Sequence, residues 1–282
     1  MIYLSTGGFN LLSGYETSKL LSENNITNIE LSGGTSNTKQ IENLVTLTSN
    51  CNFQVHNYFP PPQEPFVFNL ASQDEQIYTN SFQHAHTAID LAEKIGSKFY
   101  SFHAGFLLDP EVNDLGGKIT KRKLSHRDSA KERFVDGVNQ ISSYAQKKGI
   151  MILLENNVIS SANIKHFGTN PFLMTDYKEA IEIMNSTDDN VGLLIDVAHL
   201  KVSSQSEGFC KNEYLDFTSE STFAYHFSEN DGKSDTNQVV TNDSWFWPFV
   251  RKDLSYYSLE VYNQNLEVLA QQIELTTMML YT

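Results

Sequence analysis

Leu193-Leu194-Ile195-Asp196-Val197-Ala198-His199 is an apolar run that ends on a carboxylate, and its reading decides the fold. A short, continuous run of this kind is expected of a strand buried on both faces, as in a parallel sheet. An aspartate closing such a run would suffer a large desolvation cost unless something paired with it. The pattern recurs in Leu153-Leu154-Glu155-Asn156-Asn157, in Ala224-Tyr225-His226 and in Ser258-Leu259-Glu260-Val261. Working outward, strand-length runs are predicted at Ile2–Thr6, Asn28–Leu31, Phe53–Asn57, Lys98–His103, Met151–Asn156, Val191–Asp196, Thr222–Ser228 and Tyr257–Val261. Segments with helical spacing separate them, and eight βα units predict an α/β fold, a (β/α)₈ TIM barrel.

The clearest helices are predicted at Glu75–Ile95, Asp128–Lys148, Tyr177–Asn185 and Asn265–Met279. In the first of these, Ala88, Leu91, Ala92 and Ile95 share one face and Gly96 supplies the stop. Lys147-Lys148-Gly149 is a second stop, with cations at the negative end of the helix dipole. Residues 1–282 are read as one domain. Segments near 58–74 (with Pro60-Pro61-Pro62), 105–127 (with Gly116-Gly117 and Lys121-Arg122-Lys123) and 229–244 follow strands, so they are expected to be active-site loops at the barrel mouth. Gly7-Gly8 is expected to allow a tight βα turn, and Trp245-Phe246-Trp247 to lie in helix core.

Thirty-four acidic against 20 basic residues give a net charge of −14, which disfavours general affinity for nucleic acid. Cys51 and Cys210 lack any zinc-ribbon spacing and are read as reduced thiols. Met1–Asn10 has neither a basic segment nor a long apolar one, and no apolar run approaches membrane-spanning length, so a soluble cytoplasmic protein without membrane partners is expected. A barrel surface is compatible with a homo-oligomer, although no residue pattern sets its symmetry.

In a parallel barrel the carboxyl ends of all strands meet at one mouth, so Glu155, Asp196, His226 and Glu260 are expected to surround one divalent cation. Three carboxylates and one imidazole suit Mn²⁺, Mg²⁺, Co²⁺ or Zn²⁺, with Mn²⁺ the first choice. Glu30, His56 and His103 extend the same ring at earlier strand ends, to bind substrate hydroxyls, carry protons or complete another metal centre. His84, His86, His126 and His166 receive no site role.

These residues and their order resemble the xylose isomerase-like TIM barrel superfamily, which includes sugar isomerases and epimerases and the family 2 apurinic endonucleases. The matching segments are Ile29-Glu30, Phe102-His103-Ala104-Gly105, Leu154-Glu155-Asn156, Asp196-Val197-Ala198-His199, His226 through Gly232, and Leu259-Glu260. The resemblance implies that Glu155, Asp196, His226 and Glu260 ligate the metal and that His199 orients substrate or binds a further ion. It also implies that Glu155 and Glu260 serve as acid and base on a sugar or sugar-like hydroxy-carbonyl substrate, with no organic cofactor. Glu30, His56, His103, His199 and Asn156 are the expected substrate-binding set.

A dehydratase is a near relative, since the same proton abstraction followed by loss of a β-hydroxyl gives one. An apurinic endonuclease-like phosphodiesterase is the main alternative, and a non-catalytic barrel the other. The nuclease branch has an Asp-x-His after the seventh strand, where this chain reads Asp235-Thr236-Asn237. That departure and the negative charge place hydrolysis of nucleic acid second.

Overall fold

Side chains alternate along a strand, so every second residue of Met151-Ile152-Leu153-Leu154-Glu155 faces the same way. Ile152 and Leu154 join the large core between sheet and helices, whereas Leu153 belongs to a separate buried cluster with Tyr3, Leu194, Ala224 and Tyr256. That second cluster is the apolar floor inside the barrel. Two residues further along the same strands come Ser5, Glu155, Asp196, His226 and Ser258, so the interior changes from apolar to ionisable over one step of the pleat.

The computed structural model describes residues 1–9, 11–114 and 119–282. Eight parallel strands close on themselves in chain order: β1 (Ile2–Ser5), β2 (Asn28–Leu31), β3 (Asn52–His56), β4 (Phe99–His103), β5 (Met151–Glu155), β6 (Val191–Asp196), β7 (Thr222–Phe227) and β8 (Tyr256–Leu259). Nine α-helices are described outside them: α1 (Gly14–Glu23), α2 (Gln40–Leu47), α3 (Glu75–Ile95), α4 (Arg127–Gln146), α5 (Ser161–Phe167), α6 (Tyr177–Met184), α7 (Val197–Glu207), α8 (Lys211–Thr218) and α9 (Leu266–Tyr281). The four helices predicted from sequence are α3, α4, α6 and α9, with ends within two residues. Asp74 caps α3 by accepting from Gln76 and Ile77, and Gly96 ends it at φ 74°, where a side chain would be strained. Among the described residues no helix is long and apolar enough to cross a membrane.

Strand pairing sets the rotation of the site residues around the mouth. Glu155 pairs with His103, Ser5 with Glu30 and Asp196 with His226. The last pairing depends on a bulge, because Leu193 pairs with Thr222 while the next residue, Leu194, pairs with Ala224. Phe223 is the extra residue. In an unbroken register Tyr225 would sit beside Asp196, and His226 would face the helices instead. A Cβ on Gly192 would collide with the Phe223 ring, so the glycine makes room for the bulge.

Two of the expected loops are less open than their sequences suggest. In the 58–74 segment Phe59, Val67, Phe68, Asn69, Leu70 and Ala71 are buried. The 105–127 segment is anchored by Asn69, whose side chain meets Phe106, Leu108 and Asp109, and its Leu108 and Ile119 pack with Ile159 and Phe172. Lys121 and Lys123 are exposed, Arg122 pairs with Glu111 at 3.1 Å, and Gly116-Gly117 lies outside the described residues. Trp245-Phe246-Trp247 is not helical: Asn242, Asp243 and Ser244 form a turn before it, and Pro248 restricts the backbone of Trp247. Phe246 and Trp247 are nonetheless buried, with ring centroids 5.0 and 5.2 Å from Phe227. Cys51 is buried, Cys210 is exposed, and both are free thiols.

His84 shows what the packing costs in titration. It is buried on α3, stacked on Tyr58 and 3.3 Å from the Asn57 carbonyl. Burial lowers its pKa to about 4, against the smaller opposing effect of that carbonyl. A depressed imidazole pKa gives stability that is complete above the unfolded value, roughly 6.5, and is lost as pH falls towards 4. Urea unfolding at pH 7 and pH 4 is expected to show that His84→Phe removes about 3 kcal/mol of acid sensitivity. An equal pH dependence in both proteins would contradict a neutral buried His84.

Candidate metal centre and active site

Glu155 ends β5 with a fully buried side chain, and among the described residues neither carboxylate oxygen has a hydrogen-bond partner. Four imidazoles surround it instead. His103 Nδ1 lies 3.1 Å and His56 Nε2 3.4 Å from Oε2, while His226 Nδ1 lies 3.4 Å and His199 Nδ1 3.5 Å from Oε1. Burial opposes ionisation of Glu155, yet the fields of His103, His56 and His226 outweigh it and hold the carboxyl well below the usual range.

Asp196 has two tasks. Its Oδ1 caps α7, accepting from Ala198 N and His199 N at 2.7 Å each, while buried Oδ2 has no hydrogen bond. Burial, with the like charges of Asp235, Glu155 and Glu260, raises its pKa to about 7 despite His199. The cap fixes the rotamer, and the rotamer aims Oδ2 at the mouth, 4.0 Å from His226 Nδ1.

His226 is fully buried, with Nε2 2.8 Å from Glu30 Oε2 on the side away from the carboxylates. Its Nδ1 makes no hydrogen bond and lies 3.6 Å from Glu260 Oε2. Burial disfavours the charged ring, but Glu30, Glu260 and Glu155 hold its pKa well above the ordinary value. Glu260 follows β8 directly, and its Oε1 accepts from Ser5 Oγ at 3.2 Å and Tyr262 Oη at 3.3 Å. Burial opposes its ionisation too, but His226 and His56 lower its pKa to about 2.

This donor set fits a divalent cation. Ligand atoms ~2.1 Å from one ion are ~3.0 to 3.4 Å apart, close to the spacing of His226 Nδ1 from Glu155 Oε1, Glu260 Oε2 and Asp196 Oδ2. Buried atoms without hydrogen bonds on Glu155, Asp196 and His226 converge there, and a cation would satisfy all of them. Two further trios, His56 with His226 and Glu260, and His56 with His103 and Glu155, also bring one ligand atom from each side chain together.

The structure thus gathers Glu155, Asp196, His226 and Glu260, with His56, His103 and His199 beside them. Two expected substrate contacts sit elsewhere. Glu30 is fully buried behind His226, bonded to that ring and to Tyr256 Oη. Asn156 spends its amide on the Asp196 backbone, donating to the carbonyl at 3.1 Å and accepting from the N–H at 2.8 Å. Glu30 thus lies inside the barrel behind His226 and Asn156 bonds sideways to β6, a difference that a strand-end reading cannot see. His199 is held between the Asn156 carbonyl, 3.0 Å from Nδ1, and Asp235 Oδ2, 3.2 Å from Nε2. Burial opposes its charge, but Asp196 and Asp235 hold its pKa well above the ordinary value. His103 is the most open of these histidines at 28% exposure, and burial lowers its pKa to about 4 although Glu155 pulls the other way. Ser5, Ser101, Tyr256 and Tyr262 are not legible as site residues in the sequence, since a hydroxyl in a strand or turn carries no signal of its own.

The profile of the xylose isomerase-like TIM barrel family matches residues 19–256. A probable endonuclease 4 from Thermoplasma acidophilum is 27% identical over 182 residues, which are 62% of this chain and 53% of that protein, so the match spans about half the relative's length. A D-tagatose 3-epimerase-like protein of known structure superposes with a TM-score of 0.75 at 17% identity, covering 99% of this chain and 96% of the other. The TTHB071 protein from Thermus thermophilus, in a crystal soaked with ZnCl₂, gives a TM-score of 0.64 at 17% identity, covering 98% of each chain.

Gly7-Gly8 has a site-specific reason that the tight-turn expectation missed. A Cβ on Gly7 would collide with the Tyr262 hydroxyl, so the glycines form the notch in which that ring lies. Gly7→Ala is expected to destabilise by ~1 to 3 kcal/mol through overpacking. In a Tyr262→Ala background its cost should fall below ~0.5 kcal/mol, since the colliding ring is gone. Urea unfolding of the four proteins measures this coupling, and additive effects would show that the notch does not depend on Tyr262.

Proposed function

Because the chain belongs to the xylose isomerase-like TIM barrel family, we propose that it is a divalent-metal-dependent isomerase or epimerase of a sugar or sugar-like hydroxy-carbonyl compound. The observation that carries this reading is the placement of Glu155 and Glu260, three strands apart around the ring with His226 between them. Two carboxylates approaching one space from different sides can remove a proton from a carbon and return one to its other face. The epimerase-like neighbour of known structure agrees with this class.

Glu155, Asp196, His226 and Glu260 would hold the ion, with Mn²⁺ the proposed native metal because oxygen donors dominate the set. A divalent cation there supplies Lewis-acid polarisation of a carbonyl and fixes the adjacent hydroxyl. Glu155 or Glu260 takes the proton from the carbon beside the carbonyl, and the C–H electron pair moves into an enediolate. For epimerisation the other glutamate, which must enter the step protonated, delivers its proton to the opposite face; for aldose–ketose isomerisation the glutamate that took the proton returns it to the neighbouring carbon while the hydroxyl proton passes to the former carbonyl oxygen. The Ser5 and Tyr262 hydroxyls fix Glu260 Oε1, so its carboxylate keeps one orientation through the transfer. His103 is the proposed substrate-hydroxyl contact, being the ring imidazole that reaches solvent.

A second reading has its own observation. The trio of His56, His103 and Glu155 offers a neighbouring ion pocket, and two adjacent ions suit phosphodiester hydrolysis. The net charge of −14 and Asn237 in place of the nuclease-branch histidine count against a nucleic-acid substrate.

Incubated in D₂O with Mn²⁺ and a panel of ketoses, the protein is expected to place deuterium on the carbon beside a carbonyl, and EDTA should abolish the exchange. Glu260→Gln should lower the exchange rate by roughly 10²- to 10⁴-fold, the usual contribution of one acid–base group. An abasic-site duplex should remain intact with the zinc-loaded protein. EDTA-sensitive incision of that duplex, with no exchange on any ketose, would reverse the ranking.

A further inference from the structure

Below the mouth lies a line of buried polar groups. Glu30 Oε2 accepts from His226 Nε2 at 2.8 Å and from Tyr256 Oη. The Tyr256 ring is fixed between Tyr3, edge-on at 5.3 Å, and Phe99, stacked at 5.6 Å. The Ser101 hydroxyl lies beside that of Tyr256, where it favours the ionised phenol, and Ser101 Oγ is 2.9 Å from His56 Nδ1. Glu30, Ser101, Tyr256, His56 and His226 all have 2% exposure or less.

The direction of this line follows from its acceptor end. A carboxylate can only accept, so Tyr256 spends its proton on Glu30 and its oxygen is left to accept from Ser101. Ser101 then has only its lone pairs for His56, which must carry its proton on Nδ1. His56 Nε2 is left with a lone pair, on the side where Glu155 Oε2 lies 3.4 Å away. On the other arm His226 gives its Nε2 proton to Glu30, so the proton a bound cation would displace is the one on Nδ1, which faces Glu155, Asp196 and Glu260.

We propose that Glu30 is a positioning residue that sets the tautomers of two imidazoles at once, His226 directly and His56 through Tyr256 and Ser101, so that both rings present a lone pair to the space around Glu155. This assignment rests on the metal-binding part of the proposed function and adds to it a residue outside the ligand set. A carboxylate behind a metal-ligating histidine also makes the ring more basic, and loss of such a partner typically lowers metal affinity about 10- to 100-fold.

The test uses protein with ¹⁵N-labelled histidine, studied with and without Zn²⁺. Long-range ¹H–¹⁵N spectra report which ring nitrogen carries hydrogen, with His56→Gln and His226→Gln identifying the two sets of cross-peaks. Zn²⁺-loaded wild type should show His56 as Nδ1–H and His226 as Nε2–H. Tyr256→Phe cuts only one arm, so His56 should lose its single tautomer while His226 keeps Nε2–H and the tightest Zn²⁺ binding stays within about 3-fold. Glu30→Gln keeps an acceptor but removes the charge, and should weaken Zn²⁺ binding about 10- to 100-fold in a competition titration, with a cooperative melt retained. His56 unchanged in Tyr256→Phe, or Glu30→Gln binding Zn²⁺ as wild type does, would overturn the proposal. A wild type with these tautomers and tight Zn²⁺ binding but no sugar proton exchange would sink the isomerase reading and leave this assignment standing.

Discussion

The constraint on which the structure depends is the charge of Glu155, fully buried and without a hydrogen bond on either oxygen. An unpaired carboxylate in the barrel interior would be far too costly, so its surroundings must supply positive charge. Four imidazoles from β3, β4, α7 and β7 approach it at 3.1 to 3.5 Å, and two of them, His199 and His226, have pKa values held well above the ordinary value. They bring their own demands. His226 needs Glu30 behind it, His199 is held by Asp235 and the Asn156 carbonyl, and His56 is held by Ser101. Further carboxylates, Asp196 and Glu260, share the space, and their mutual repulsion is part of what raises the Asp196 pKa to about 7. A divalent cation would relieve that repulsion and satisfy the unpartnered atoms together.

The barrel is legible in the sequence because its strands are largely buried on both faces and their carboxylates and imidazoles come at or next to the carboxyl ends. Leu194 followed by Asp196 and Leu153 followed by Glu155 mark the same step from floor to mouth, which is why the ionisable residues that meet there can be named from the runs. Other features depend on phase or partner, neither of which a run of residues displays. Nothing in Thr222-Phe223-Ala224-Tyr225-His226 announces that Phe223 is an extra residue, although that bulge turns His226 inward. Glu30 reads as a mouth residue because it also lies at a strand end, but its partner across the barrel is His226 and its exposure is zero. Asn156 reads as a polar group free for substrate, yet it knits β5 to β6 through the Asp196 backbone.

The ligand atoms alone fit both proton transfer at carbon and hydrolysis of a phosphodiester, so the difference must come from what stands around them. One such feature is the segment that departs from the Asp-x-His pattern. Asn237 has φ 45°, a left-handed conformation in which asparagine is enriched, and its carbonyl accepts from Tyr262 N at 3.0 Å. Tyr262 in turn lies in the notch of Gly7-Gly8 and gives its hydroxyl to Glu260 Oε1. The residue that stands where the nuclease branch has an imidazole therefore helps to seat the side chain that orients Glu260. Asp235, two residues earlier, remains paired with His199 at 3.2 Å. The loop after β7 thus works on both flanks of the mouth, steadying one imidazole with a carboxylate and one carboxylate with a phenol. A pair of glutamates approaching from different strands is what stereochemical control of proton transfer requires, and Ser5 and Tyr262 give one of them, Glu260, a fixed orientation.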